Sequence, residues 1–156
     1  MKKYLNFIRD WRWIFAVIGV GVLADQMTKF YAINYWKESE RVLIDNVLSL
    51  TYSENTGIAF SIPIPAVVLL PLSVLFLIIF FVLMSREFDA KKLGSQVFLG
   101  MVIGGGIGNL VDRLMHGFVV DFIKMGSYPI FNVADVLIVA GAIGSVVFYG
   151  KLKKNN

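Results

Sequence analysis

The sequence predicts an all-α integral membrane protein with four transmembrane helices and a small extracytoplasmic β-rich loop. Three observations carry this. First, 57% of the residues are hydrophobic and 17% charged, with a mean hydropathy of +0.71. That is more apolar surface than a soluble domain of this size can hide. Second, four apolar runs each approach the roughly 20 residues that a spanning helix needs. Third, the stretch between the first two runs alternates in the manner of strands.

The first run, about 13–31, is uncharged until Asp25. The second, about 65–84, carries no charge, and the third, about 93–114, none before Asp112. The fourth, about 130–149, contains only Asp135. Helices are the default because a backbone in lipid must satisfy its own hydrogen bonds, and the alternation that a closed barrel needs is absent from these runs. Between runs one and two, residues 36–62 include VLIDNVLSLTYSEN, rich in Val, Leu, Thr and Tyr, with a turn signal at Asp45-Asn46. This predicts a small sheet or hairpin near the membrane surface. The loop at 115–129 is short and holds VVDFI. No domain boundary interrupts the chain, so residues 1–156 are read as one membrane-embedded domain.

Basic residues set the expected orientation. Lys2, Lys3, Arg9 and Arg12 precede run one, Arg86, Lys91 and Lys92 lie between two and three, and Lys151, Lys153 and Lys154 follow four. Both termini and the middle loop therefore read as cytoplasmic. The basic-then-apolar start resembles a signal peptide, but no small-residue cleavage site follows and Asp25-Gln26 interrupts the run. It is read as an uncleaved span. The net charge of +4 reflects this distribution rather than a nucleic-acid surface.

The chain has no cysteine and one histidine, His116. Disulfides, thiolate nucleophiles and H-E-x-x-H zinc sites are thereby excluded, and no metal or other cofactor is expected. What remains is a set of polar residues in apolar context. A helix rising from Leu93 reaches the outer interface near Arg113, and the fourth helix descends from that side. Asp135 then lies one to two turns below the outer surface, and Asp121 on the same side. Two neighbouring carboxylates cannot both ionise cheaply, so they share a proton. One can then activate a water while the other polarises a carbonyl, hydrolysing an amide without a metal. The alternative is that both are ordinary interfacial residues capping helix ends.

Asp25 and Lys29 stand four apart with the acid first, a spacing at which they pair on one helix face. Asn109, Asp112 and Arg113 share a face of the third helix. There Arg113 can grip carbonyls or carboxylates, and Asp112 serves as a local counter-charge. Glycines 100, 104 and 108, with 105 and 106, predict a close helix–helix contact. Asn55-Thr56-Gly57 is a turn signal, His116 a surface residue, and Trp11, Trp13 and Trp36 sit near expected interfaces. A small transporter or a non-catalytic scaffold are competing readings. The first wants its acids at the midplane and leaves the strand-like loop unexplained; the second would be held together by the glycine face.

Five blocks together resemble the bacterial lipoprotein signal peptidase (signal peptidase II) family: ADQMTK (24–29), NTGIAFS (55–61), GNLVDR (108–113), VVDFI (119–123) and FNVADV (131–136). They stand in the family's order and span most of the chain. The resemblance implies an intramembrane aspartyl peptidase whose substrates are diacylglyceryl-modified prolipoproteins, cut just before the modified cysteine. It implies that Asp121 and Asp135 are the catalytic pair. It also implies that Asp25, Asn55, Gly108, Asn109, Asp112, Arg113, Asn132 and Ala134 support the site or bind substrate. Membrane lipids are the other expected partners, and a monomer is expected. The short segment between Asp121 and Asp135 implies a smaller rim.

Overall fold

The computed structural model describes residues 10–58, 62–63 and 66–154. In chain order the elements are α1 (Arg12–Tyr35), β1 (Arg41–Ile44), β2 (Leu48–Asn55), β3 (Gly57–Ile58), β4 (Ile62–Pro63), α2 (Ala66–Glu87), α3 (Leu93–His116), β5 (Val119–Met125), α4 (Val133–Val147) and α5 (Tyr149–Leu152). Helices α1, α2 and α3 are long and apolar enough to cross a membrane; α4 is apolar but has 15 residues. At 1.5 Å per residue α4 spans about 22 Å, against a hydrocarbon thickness of about 30 Å.

The run at 130–149 was expected to be helical throughout, and its first residues are not. Phe131 pairs with Ile123 of β5 as an antiparallel bridge, and Asn132 caps α4. Backbone groups engaged with a strand cannot start a helix, so α4 begins at Val133.

Helix α3 is the centre of the bundle, touching α1, α2 and α4. Three consecutive glycines show how. A Cβ on Gly104 would lie 3.2 Å from the backbone of Ile18 on α1, one on Gly106 2.5 Å from Leu77 on α2, and one on Gly105 would collide with the carbonyl of Ala134 on α4. Successive residues on a helix point about 100° apart, so three adjacent small residues admit three neighbours. Outward, α2 shows the opposite character: Val67, Phe76 and Ile79 are exposed, as lipid-facing side chains are.

The hairpin expected in 36–62 is present. β1 and β2 pair antiparallel about a turn at Asp45–Val47, where Asn46 takes φ 57°. The sheet has a third strand that the sequence reading left as loop: β5 pairs antiparallel with β2, in the order β1-β2-β5. Val120 and Phe122 on its inner face pack against Ala32 and Trp36 at the end of α1. At the opposite end of the bundle, Trp11, Ile14, Phe88, Leu99 and Leu152 form a second apolar cluster. Trp11 is thus buried there, while Trp13 stays half exposed. At the sheet end of the bundle the helix ends and the sheet frame a cleft.

Candidate active site

A cleft of about 360 Å³ opens where the sheet meets the ends of α3 and α4. Its lining includes Asn55, Gly57, Asn109, Arg113, Asp121 and Asp135. Local structure delivers each group. The register of β2 against β5 sets Ser53 opposite Asp121 and Asn55 opposite Val119, so these side chains share one face of the sheet. On α3, Asn109 and Arg113 are one turn apart and point to the cleft. Asp135 is the third residue of α4 and closes its capping box: Asn132 Oδ1 accepts from the Asp135 N–H at 2.9 Å, and Asp135 Oδ2 accepts from the Asn132 N–H at 3.2 Å.

Amides hold both carboxylates. Asn132 Nδ2 donates to Asp121 Oδ1 at 2.7 Å, and Asn55 Nδ2 donates to Asp121 Oδ2 at 3.0 Å. Asn109 Nδ2 donates to Asp135 Oδ1 at 2.9 Å, and its Oδ1 accepts from Asn132 Nδ2 at 3.1 Å. Two asparagines, Asn132 and Asn109, therefore link one carboxylate to the other, while Asn55 holds Asp121 from the sheet side. Arg113 Nη2 donates to the Gly57 carbonyl at 3.3 Å. Burial pushes the Asp121 carboxyl up to about 6, with the nearby Asp135 charge adding to the rise and the bonds from Asn55 and Asn132 opposing it.

Beneath the cleft lies a buried layer centred on Lys29. Its ammonium contacts Asp25 Oδ2 at 2.8 Å, Asp112 Oδ2 at 3.0 Å and Asn109 Oδ1 at 2.9 Å, and all three charged side chains are at most 2% exposed. The expected Asp25–Lys29 pair is present. Asp112 is a counter-charge as expected, though to Lys29 on α1 rather than to Arg113 beside it. Gln26 Nε2 ties the two acids together, donating to Asp25 Oδ2 at 3.2 Å, Asp112 Oδ1 at 2.9 Å and the Gly108 carbonyl at 3.2 Å. Two backbone amides complete the layer. The Ala134 N–H donates to Asp25 Oδ1 at 2.9 Å and the Val120 N–H to Asp112 Oδ2 at 2.9 Å. Gly108 makes room for the Asp25 carboxylate, since a Cβ there would sit 2.5 Å from Asp25 Oδ2.

All ten residues named from the sequence thus fall in the cleft or in the layer under it. Others had no separate signal. Gln26 was read only as an interruption of an apolar run. Ser53, Val119 and the rim Tyr128–Phe131 line the cleft through the strand pairing that sequence reading missed. His116 lies outside, exposed and stacked on Phe118.

Residues 17–150 match the family described as Signal peptidase (SPase) II. The chain belongs to the signal peptidase II family. It is accordingly a bacterial membrane protease. Relatives named "Lipoprotein signal peptidase" include one from Chlorobaculum tepidum, 39% identical, with 83% of this chain and 89% of the relative covered. Another, from Clostridium acetobutylicum, is 33% identical over 85% of this chain and 90% of the relative. A third, from Rickettsia bellii, is 34% identical over 99% and 81%. A solved bacterial membrane enzyme superposes with a TM-score of 0.77 at 26% identity, covering 88% of this chain and 87% of that one. In this signal peptidase II the cleft is therefore the place to look for amide hydrolysis.

Proposed function

We propose that this signal peptidase II hydrolyses prolipoproteins at the peptide bond before a diacylglyceryl-modified cysteine, with Asp121 and Asp135 as its general acid and base. The observation that carries the reading is that these two carboxylates line one cleft, each held by two N–H donors, with Asn132 bonded to both. In this scheme one member of the pair is ionised and the other protonated. The ionised member takes a proton from a water, and the resulting hydroxide adds to the scissile carbonyl carbon. The protonated member donates its hydrogen bond to the carbonyl oxygen, where negative charge develops. Collapse of the tetrahedral intermediate breaks the C–N bond as the nitrogen is protonated, releasing the signal peptide's carboxylate and the cysteine's free amine. Arg113, Asn55 and Asn109 position the substrate backbone.

An apolar cavity of about 420 Å³ between α2, α3 and α4, bordered by Leu72, Phe76 and Ile138, also reaches Asn109 and Arg113. It gives acyl chains arriving by lateral diffusion a route to the same residues. In this reading the chain is a monomer with four spans, both termini cytoplasmic and the cleft at the outer face. Purified enzyme in detergent tests the substrate class. A prolipoprotein carrying diacylglycerol should be cut, and the same polypeptide with an unmodified cysteine should be cut far more slowly. Equal rates on both would remove the lipid from the account.

A further inference from the structure

The buried layer has a symmetry that the hydrolytic scheme does not use. Asp112 holds the backbone N–H of Val120, the residue immediately before Asp121, and Asp25 holds the backbone N–H of Ala134, the residue immediately before Asp135. Both carboxylates are themselves joined by Lys29 and by Gln26. Two strands of connection thus run from one ammonium, through a carboxylate, to the peptide unit that carries each cleft aspartate. We infer that Asp25, Lys29 and Asp112 form a clamp that fixes the spacing of the two cleft aspartates, acting as positioning residues for the reaction.

The clamp works on backbone, which is why it can be exact about position. β5 and α4 are joined by the rim 126–132, by the Ile123–Phe131 bridge and by the Asn132 amide, which reaches Val120 and Asp121, and their relative placement gains a further tie from the bundle. The Asp25 and Asp112 carboxylates supply it from two different helices. Lys29 makes the two grips interdependent, because its ammonium balances both acids at once. Its third contact, to Asn109 Oδ1, fixes the amide that donates to Asp135. Misplacement of a reacting group by about 1 Å costs on the order of 100-fold in rate.

The inference rests on the dyad reading, and the test separates the two. In Asp112→Asn and Asp25→Asn the remaining side-chain oxygen still accepts the backbone N–H. Asp112→Leu and Asp25→Leu keep the size and lose the acceptor. Steady-state cleavage per folded molecule, with folding followed by thermal unfolding of the detergent-solubilised enzyme, should show kcat reduced about 100-fold in the Leu variants. KM should stay close to wild type, and the Asn variants should recover most of kcat even though both substitutions remove the same charge. Equal kcat for Asn and Leu at each position would overturn the clamp, as would Leu variants whose kcat per folded molecule is unchanged. Activity in Asp121→Asn would instead overturn the dyad itself.

Discussion

A buried carboxylate is defined by its donors, and Asp121 shows the consequence for pH. With its proton held until about pH 6, Asp121 loses it as pH rises through that value, and the proposed mechanism loses its acid. The kcat/KM profile should therefore descend on its alkaline side. The Asn55 N–H stabilises the ionised form, so Asn55→Ala should move the descending limb to higher pH while lowering kcat. A limb that stays in place, measured over a pH series, would detach Asn55 from the titration. Lys29 makes a second prediction. Replacing it with Met leaves two buried carboxylates with no cation, a change that costs about 3–5 kcal/mol. The expected result is a lower unfolding temperature and loss of folded protein; a Lys29→Met enzyme as stable as wild type would contradict the packing described. At this scale the sequence was informative where charge stood out against apolar neighbours, as at Asp25, Asp112, Asp121 and Asp135. It gave no role in the site to Gln26, whose three bonds depend on how α1 meets α3.

Elements carry the site by close approach. Gly105 leaves no room for a side chain beneath Ala134, the residue whose N–H Asp25 holds. Gly105→Val should push α4 from α3 and cost about 1–3 kcal/mol through overpacking. Because α4 carries Asp135, cleavage should fall more than the stability loss alone predicts. Normal activity with a lowered melting temperature would show that α4 shifts without moving the site. The helices were legible from run length, and the β1–β2 hairpin from alternation about Asp45-Asn46. β5 was not, because VVDFI is short and its partner β2 lies on the far side of two helices in sequence. Long-range pairing leaves no local mark. The late start of α4 has the same origin, since Phe131 is taken by that strand.

On the scale of the whole molecule, the fold places its polar cleft at one end and the described chain ends, near Trp11 and Lys153, at the other, with α3 joining them. The absence of cysteine makes orientation simple to read, because one introduced thiol is the only label site. Ser127→Cys, exposed beside the cleft, should react with a membrane-impermeant maleimide applied outside intact cells. Lys153→Cys should react only after the cells are broken; the reverse pattern would invert the topology. The proposed mechanism makes one central claim, that two aspartates from different elements act together. The most direct measurement is cleavage of a diacylglyceryl-modified prolipoprotein by wild type, Asp121→Asn and Asp135→Asn, each verified as folded by its thermal unfolding. The account predicts cleavage by wild type and a loss of at least about 100-fold in both variants. Substantial turnover by either folded variant would contradict it.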